Sequence, residues 1–505
     1  MTSRILLFTA VAIGAGLLWN ACAPTPQVRS VSRVDSALSL VNVRDLGAVG
    51  DGKTDDRAAL QAALDAPGPH VVYLPNGTYL VSQAPRSYWS LVARPRTQIV
   101  GESRDTVIKL APDAGVSVQL LEVLEAPDVT VTNLTLDGAK DDQSVLDTDH
   151  RPDQHRANLF AKQSPRLTLR SVTSRNATGD GVEIYDGSDD SVVVDLLATG
   201  NLRNGLTLGG GTTGGTFVSS QFVGNGAQQF DSEGAPVHNV TIRGCLFDGR
   251  RVSDDFVLTM TGMGADQMSH GWTVTDNVVN GGALIVWISD VIYARNSGTN
   301  ASTKPAVWVY RTTERILIAD NRLVTTGAAA FDAGAMVYVT GTGLGQSPAG
   351  VVISGNSLTT ERPAYGVSAI GAHDVTVVGN VLVGAGSRVP WEAGVFVRAT
   401  KLDAPVASAR IERNRIGNFG SYGVWLGGSV PGAQIQDVVI AGNEFTDSSS
   451  LPTMASALYL GDDMGTARRV TISENRIGGG TTAMVARAPA GVEQAWGDGA
   501  RWSAQ

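Results

Sequence analysis

The sequence predicts an all-β protein, a right-handed parallel β-helix (a solenoid) with a short N-terminal capping helix. One observation is a strand-and-turn motif that recurs along most of the chain. The other is the composition: 59 of 505 residues are Gly, 6% are aromatic and 17% are charged, which suits short strands and tight turns better than long amphipathic helices. A single globular core rarely exceeds about 300 residues, but a repeat protein escapes this limit because each unit contacts only its neighbours.

The recurring motif is a short alternating strand, a polar turn that often contains Asn, and a second apolar stretch. Copies begin at Val129, Val240, Trp272, Ile316, Val351, Val375, Ala409, Val438 and Val470. In the second copy Val240 and Ile242 should face the core and Arg243 the solvent, because neighbouring strand residues point to opposite faces. The copies recur at intervals typical of a solenoid rung.

An Asn occupies the same place in the turn of many copies. These residues are Asn277, Asn321, Asn356, Asn380, Asn414, Asn443 and Asn475. Asn tolerates the left-handed backbone of such turns, and stacked amides bond along the stack. The sequence therefore predicts an internal Asn ladder with a structural role.

The amino terminus has the pattern of an export signal. Arg4 is the only charge before the apolar run 5–18, and small residues follow around Cys22. The stretch 18–22 resembles the lipobox of bacterial lipoproteins, although Trp19 stands where that family prefers Leu. We predict an extracytoplasmic protein, lipid-anchored through Cys22, with plain secretion or a periplasmic location as alternatives.

The predicted domain boundaries follow from these segments. Residues 1–22 form the signal peptide, 23–40 a linker, 41–482 the β-helix with an N-terminal cap module at 41–110, and 483–505 a C-terminal cap or tail. Within the cap module we expect a helix over 58–64, capped by Thr54 or Asp55, and a hairpin-like pair of strands around the turn Asn76-Gly77.

The segment VRDLGAVGDGKTDDRAALQAAL, followed by VVYLPNGTYLV, closely resembles the N-terminal module of the pectate-lyase-like superfamily of β-helix proteins. That superfamily includes polygalacturonase-like hydrolases, lyases and phage tailspikes. The resemblance implies structural roles for Asp51, Asp55 and Asp56. It continues more loosely to about residue 235, and implies that GAQQFDSEG at 226–234 is a central rung.

Alternation places a group of carboxyls on the outer face of these central rungs. With Val182, Leu206 and Phe230 inside, the sequence predicts catalytic residues Asp231, Glu233 and Glu183 outside. Predicted separations of roughly 6.5–10 Å suit inverting glycoside hydrolysis, in which one carboxyl protonates the leaving oxygen and another activates water. The predicted substrate-binding residues are Tyr185, Arg203, Asn204, Trp308, Tyr310, Arg311, His155 and Lys162. By contrast, we interpret Asp180, Asp186, Asp189 and Asp190 as turn residues. The sequence leaves open whether Asp254 and Asp255 belong to the catalytic cleft or to another turn.

Two alternatives to the hydrolase remain open. A polysaccharide lyase or C5-epimerase would bind Ca²⁺ through the carboxyls and use Lys162, His155 or Arg203 as a base on a uronic-acid polymer. A non-catalytic surface protein would only bind glycans. The hydrolase needs no cofactor, and we assign no metal ligands. The net charge of −9 argues against nucleic acid as a partner, so we expect a polysaccharide partner, and membrane contact only through a lipid at Cys22.

Overall fold

The computed structural model describes residues 38–114, 118–143, 156–249, 256–327, 334–342, 345–387, 392–399, 408–428, 435–448, 454–461, 468–478, 485–486 and 503–504. The chain from Ser39 onwards winds through short strands whose named pairings are all parallel, with each strand bonded to the equivalent strand of the next turn. The predicted right-handed parallel β-helix is confirmed. Its strands form three faces.

The face that carries the candidate site is called the site sheet. It contains β5 (Trp89–Val92), β8 (Gln119–Leu124), β10 (Leu159–Lys162), β12 (Val182–Tyr185), β15 (Leu206–Gly209), β18 (Phe230–Glu233), β21 (Leu258–Thr261), the first parts of β24 (Ala283–Ala294) and β26 (Val307–Ala319), β28 (Ala335–Thr340), β31 (Tyr365–Ile370), β34 (Ala393–Ala399), β37 (Tyr422–Gly428), β40 (Ser456–Leu460) and β43 (Val485–Ala486).

The second sheet follows it along the chain in each turn. It contains β1 (Ser39–Asn42), β3 (His70–Leu74), β6 (Thr97–Gly101), the first parts of β9 (Thr130–Asp137) and β11 (Thr168–Arg175), β13 (Val192–Val194), β16 (Thr216–Val218), β19 (Thr241–Arg243), β22 (Ser269–Thr275), the second parts of β24 and β26, β29 (Pro348–Ser354), β32 (His373–Val378), β35 (Ala409–Glu412), β38 (Gln436–Ala441) and β41 (Arg468–Ser473).

The third sheet completes each turn. It contains β2 (Asp51–Asp55), β4 (Gly77–Val81), β7 (Thr106–Leu110), the second parts of β9 and β11, β14 (Leu197–Thr199), β17 (Gln221–Val223), β20 (Leu246–Asp248), β23 (Val278–Asn280), β25 (Ser297–Asn300), β27 (Arg322–Thr325), β30 (Ser357–Thr360), β33 (Val381–Val383), β36 (Arg415–Gly417), β39 (Glu444–Thr446), β42 (Arg476–Gly478) and β44 (Ser503–Ala504).

Apolar side chains fill the interior in columns, one residue per rung. On the site sheet Val182, Leu206 and Phe230 are in register and fully buried, as predicted. The Phe230 ring meets Phe217 edge to face at a centroid distance of 5.0 Å and Trp272 at 6.4 Å. Such aromatic pairs add about 0.5–1.5 kcal/mol each beyond the burial of their area. The strand that carries Asp231 is therefore anchored on a rigid core.

The predicted Asn ladder is confirmed and contains one more residue. The side-chain amide of each Asn donates to the carboxamide oxygen of the next, as in Asn321 to Asn356 (2.9 Å) and Asn356 to Asn380 (2.9 Å). Asn296, which the sequence pattern missed, joins Asn277 to Asn321. The ladder satisfies buried polar groups at one corner of every rung it crosses.

The N-terminal cap contains the 3-10 turn Val43–Leu46 and helix α1 (Arg57–Leu64). Leu60 and Leu64 are 2% exposed and close the end of the core. Asp55 accepts a hydrogen bond from the backbone of Arg57 (3.1 Å), and Asp56 accepts two from Val49 and Gly50. These bonds give both aspartates the structural role that the sequence implied. A further 3-10 turn spans Lys140–Asp142.

The predicted hairpin around Asn76-Gly77 is wrong. Strand β3 pairs with β1 and β6, whereas β4 pairs with β2 and β7, so the chain turns a corner between two sheets instead of reversing. Gly77 lies against the backbone of Gly50 at this corner, where a Cβ atom would lie 2.7 Å from the Gly50 carbonyl oxygen. An Asn-Gly pair is therefore used here for close packing and not for a hairpin turn.

Several predictions concern residues outside the described ranges. The signal peptide 1–22 with Cys22 and most of the tail 483–505 belong to them. Cys245 is described: it is 2% exposed and forms no disulfide with any described residue. No helix within the described ranges has the length and apolar character that a membrane span requires.

Candidate active site

One outward-facing column of the site sheet carries the predicted acids. Glu122, Phe160, Glu183, Thr207 and Asp231 follow one another on successive strands. Glu183 and Asp231 are thus two rungs apart, about 9.5 Å at the usual strand spacing, as predicted. Their exposure differs from the prediction, since Glu183 is 0% and Asp231 only 9% exposed. Neighbouring side chains of the same column lie one strand apart and shield one another.

Arg203 holds the acidic cluster together. One terminal nitrogen of its guanidinium contacts a carboxylate oxygen of Asp180 at 2.9 Å, and the other contacts Glu233 at 2.6 Å. Burial alone would lower the pKa of Arg203, but these two carboxylates raise it well above its ordinary value. These contacts favour the protonated form of Arg203, which argues against the role as a base predicted for it in a lyase.

Asp180 belongs to the site, although the sequence suggested only a turn residue. It is fully buried, accepts hydrogen bonds from the Thr207 hydroxyl (2.6 Å) and the Asn204 backbone (3.0 Å), and pairs with Arg203. Burial raises the pKa of Asp180 to about 7 despite the opposing effect of Arg203. The signal in the sequence was weak, because Gly-Asp-Gly is a common turn pattern.

Asp231 occupies the centre of the column. It accepts hydrogen bonds from the hydroxyl of Thr259, on the next rung, and from the side-chain amide of Asn204 at 3.5 Å. Burial raises the pKa of Asp231 to about 7, and the neighbouring Glu233 acts in the same direction. A carboxyl that titrates near neutral pH is suited to proton transfer in either direction.

Tyr185 lies over a floor of glycines. Cβ atoms placed on Gly209, Gly210 or Gly234 would overlap its side chain, and the one on Gly234 would meet the hydroxyl itself. The ring therefore extends across two rungs towards the strand of Glu233. Burial raises the pKa of Tyr185, with Glu233 as the next contribution. The raised pKa favours the protonated phenol at neutral pH.

The predicted basic residues are only partly within the described ranges. The Lys162 ammonium pairs with Asp186 at 2.9 Å, at the edge of the site. His155 lies outside the described residues, as do Asp254 and Asp255. Asp189 accepts a hydrogen bond from the backbone of Thr213 (2.8 Å) and so has the turn role that was predicted.

The predicted aromatic residues lie on the same face but not beside the acids. Trp308 and Tyr310 are on β26, three rungs from β18, which is about 14 Å. Arg311 follows them at a corner with φ +58°, and its guanidinium lies over the Trp287 ring at 4.4 Å. These residues extend the site along the solenoid axis.

A further buried acid, Glu122, lies two rungs from Glu183 on the side opposite Asp231 and was not predicted from the sequence. It is 6% exposed, and within the described ranges its Oε2 has no hydrogen-bond partner. Burial raises the pKa of Glu122 to about 7. Its strand, Gln119–Leu124, does not carry the recurring strand-and-turn motif, so the sequence does not indicate which of its residues face outward.

The carboxyls of the described site do not fit a calcium ion. Calcium takes about six to eight oxygen ligands, whereas the space between Asp180 and Glu233 is filled by the Arg203 guanidinium. Within the described residues no three or more His, Cys, Asp or Glu side chains are arranged to hold a metal. We therefore assign the positive charge of this site to Arg203.

Comparison with known proteins extends the resemblance seen in the sequence. The family model described as rhamnogalacturonase A/epimerase, pectate lyase-like, matches residues 40–327. Alginate lyase 7 of Azotobacter vinelandii is 31% identical over 203 residues, covering 35% of this chain and 23% of that protein. Mannuronan C5-epimerase AlgE6 of the same organism is 31% identical over 205 residues, covering 38% and 22%. The chain spans less than a quarter of the length of these curated relatives.

Solved structures share the fold at lower identity. The pre-mature gene product 12 of bacteriophage phi29 superposes with a TM-score of 0.58 at 16% identity, covering 89% of this chain and 57% of that one. The A-module of mannuronan C-5 epimerase AlgE6 gives a TM-score of 0.46 at 21% identity, covering 88% and 99%. The similarity to gene product 12 supports the β-helix fold and nothing beyond the fold.

Proposed function

Because the chain belongs to the rhamnogalacturonase A/epimerase, pectate lyase-like family, we propose that it acts on a polysaccharide of uronic acids by removing the proton at C5. The product is either an unsaturated sugar, as from a lyase, or an inverted sugar, as from an epimerase. The names of the relatives, an alginate lyase and a mannuronan C5-epimerase, support this choice over hydrolysis.

The observation that carries the proposal is the placement of Arg203 among the carboxyls. Proton loss at C5 builds negative charge on the adjacent carboxylate of the sugar, and a fixed cation beside it stabilises that charge. Arg203 is 22% exposed in its side chain, and its guanidinium carries five N–H donors, more than its two carboxylate contacts use. Its remaining donors are available to the substrate carboxylate.

Asp231 and Tyr185 then supply the proton transfers. The ionised carboxylate of Asp231 takes the C5 proton, and a raised pKa makes it a stronger base than an ordinary aspartate. In elimination the C5–H electron pair forms the C4–C5 double bond, the C4–O bond breaks, and the leaving oxygen takes the proton of Tyr185. In epimerisation the phenol instead returns a proton to C5 from the opposite face.

A second candidate is the inverting hydrolase expected from the sequence, and the same aspartate favours it. A carboxyl whose pKa lies near 7 is a competent general acid while protonated, and Glu183 lies two rungs away, within the separation used by inverting enzymes. Glu183 is fully buried, however, which restricts the access of a water molecule to it.

The pH dependence of kcat/KM separates the two candidates. If Asp231 is a base, activity on a polyuronate rises as the pH increases through about 7, because the ionised form is the active one. If it is a general acid, activity falls over the same range. Ultraviolet absorbance of the products reveals elimination, proton exchange with deuterated water reveals epimerisation, and new reducing ends without absorbance reveal hydrolysis. Asp231→Asn should abolish each of these activities.

We also propose that the protein works outside the cytoplasm, anchored by a lipid on Cys22. The pattern of residues 1–22 supports this location. Labelling of cells with a radioactive fatty acid tests it, since Cys22→Ala should remove the label from the protein. An unlabelled wild-type protein in the medium would favour plain secretion.

A further inference from the structure

A row of aromatic side chains continues the acid-bearing column towards the C-terminus. After Asp231 the column passes through Thr259 and Leu284, which are in register with each other and with Trp308. It then continues through Tyr338, Ser368, Phe396, Trp425 and Tyr459. We call Trp308, Tyr338, Phe396, Trp425 and Tyr459 the aromatic row. Four of its five residues lie beyond residue 327, where the family match ends.

The rings of the aromatic row form two contacting groups along the solenoid axis, separated by Ser368. Trp308 stacks on Tyr338 at a centroid distance of 5.6 Å, and Trp425 lies 4.6 Å from Phe396 and 5.8 Å from Tyr459. Trp308, Trp425 and Tyr459 are half-buried, so each leaves part of its surface on the outside of the sheet. The result is a narrow apolar strip one side chain wide.

Two tryptophans of the row have an unused hydrogen-bond donor. Within the described ranges neither the Trp308 nor the Trp425 indole nitrogen has a partner, although both atoms are buried. Buried indole N–H groups usually have one. A ligand that brings hydroxyl groups to the strip would satisfy them after a small movement of the rings.

Two arginines flank the strip without a carboxylate partner among the described residues. Arg311 is held over the Trp287 and Tyr310 rings, at 4.4 and 4.9 Å. Arg398 is half-buried and in register with Ile370, two residues after Phe396 and therefore on the same face of the strand. Two cations without a carboxylate partner in the described part of the chain contrast with its net charge of −9. They suit a ligand that carries negative charges at intervals.

From these observations we infer that the aromatic row is a binding track for a long acidic glycan, which leads the polymer to the acid centre. The strip supplies apolar contacts for sugar faces, the indoles hydrogen bonds for hydroxyls, and the arginines partners for carboxylates. From Asp231 to Tyr459 the track crosses eight strand spacings, about 38 Å. Only a polymer or a long oligomer fills that length. The inference deepens the proposed function and rests on it for the identity of the glycan.

The test compares a long linear polyuronate with its trisaccharide. Trp425→Ala and, separately, Tyr459→Ser should weaken binding of the polymer about tenfold in affinity electrophoresis and raise its KM, while kcat/KM for the trisaccharide stays unchanged. Ile292→Ala is the matched control, since it removes an exposed apolar side chain from the second sheet. Circular dichroism and thermal unfolding establish that each variant is folded.

A third variant examines the charge of the ligand. Arg398→Gln should weaken binding of the polyuronate but not of the same polymer after its carboxyls are reduced to alcohols. Equal binding of the two polymers by the wild-type protein would overturn the acidic class of the ligand. Polymer binding that is the same in Trp425→Ala as in Ile292→Ala would overturn the track itself. Tight polymer binding through the row, without turnover, would support the track and reject the proposed catalysis.

Discussion

Arg203 brings a positive charge into a group of carboxyls that would otherwise repel one another. Its partner Asp180 is fully buried, and Asp231 nearly so. A buried charge that loses its partner costs far more than an exposed one. The same side chain therefore stabilises the fold locally and, on our proposal, neutralises the substrate.

We predict that Arg203→Met lowers the free energy of unfolding by about 3–5 kcal/mol at pH 8, and by less at pH 5.5. The difference arises because the pKa of Asp180 is raised to about 7, so this carboxyl is largely protonated at pH 5.5, and removal of Arg203 then leaves no buried negative charge. Chemical denaturation at the two pH values measures this. Arg166→Met is the control: its pair with Asp128 is exposed, and such pairs contribute about 0–1 kcal/mol. Equal losses in the two variants would contradict the assignment.

Glu122 is a buried carboxyl whose Oε2 has no hydrogen-bond partner within the described ranges, so it tests how burial alone affects stability. Its pKa is raised from 4.5 to about 7 by burial, so the folded state binds the proton more tightly than the unfolded state does. The resulting stability is present below about pH 4.5 and is lost as the pH rises to about 7.

Glu122→Gln should therefore make the protein more stable at pH 8, by on the order of 3 kcal/mol, and flatten the dependence of stability on pH between 5 and 8. Thermal unfolding across that range checks this, with the exposed Glu125→Gln as the control. A pH dependence that persists unchanged in Glu122→Gln would show that other groups produce it.

At the scale of an element, the Asn ladder fixes one corner of each rung. Asn356 donates to Asn380 and to the Ile318 carbonyl, and accepts from the backbone and side chain of Asn321. Removing this amide leaves several buried polar groups unsatisfied, each at about 1–3 kcal/mol.

We predict that Asn356→Ala lowers the unfolding free energy by about 3–5 kcal/mol, measured by urea denaturation. Asn475→Ala is the comparison, since Asn475 ends the described ladder and makes one bond fewer. A larger loss of unfolding free energy in Asn475→Ala than in Asn356→Ala would contradict the view that each Asn stabilises the fold in proportion to the hydrogen bonds it makes.

The strands of the site could be predicted from alternation, but their contacts could not. Alternation placed Glu183 and Asp231 two rungs apart on one face, and the structure agrees. It gave no information on how Arg203 bridges Asp180 and Glu233, since these contacts join residues of three different rungs.

The hairpin at Asn76-Gly77 failed for a related reason. Asn-Gly is a local turn signal, but in a solenoid the partner of each strand is one full rung away and not the next strand in sequence. The unusual environment of Glu122 was missed because burial depends on neighbours that sequence distance does not reveal.

At the scale of the whole molecule, net charge affects the rate at which the substrate and the protein meet. The chain carries −9, and a polyuronate is also negative, so long-range repulsion should slow their encounter at low ionic strength. The contact with the half-buried Arg203 is screened less by salt than a contact between exposed charges.

We therefore predict that kcat/KM for a polyuronate rises when the salt concentration increases from about 20 to 150 mM, over which the Debye length shortens markedly. For the trisaccharide, which carries fewer charges, kcat/KM should change less with salt. The affinity for a neutral polymer should not change with salt. A fall in the rate for the polyuronate would mean that surface arginines, and not net charge, dominate its association.

The parallel stacking of rungs also makes distances along the axis discrete. A residue inserted in a turn alters the outline of one rung, yet the separation of Asp231 from Trp308 remains three strand spacings. Only gain or loss of an entire rung changes it, by one step of about 4.8 Å. The loops beside the site sheet can therefore vary in evolution without changing this distance. Chains of this family in which the acid centre and the aromatic row lie farther apart or closer together should differ from this chain by whole rungs.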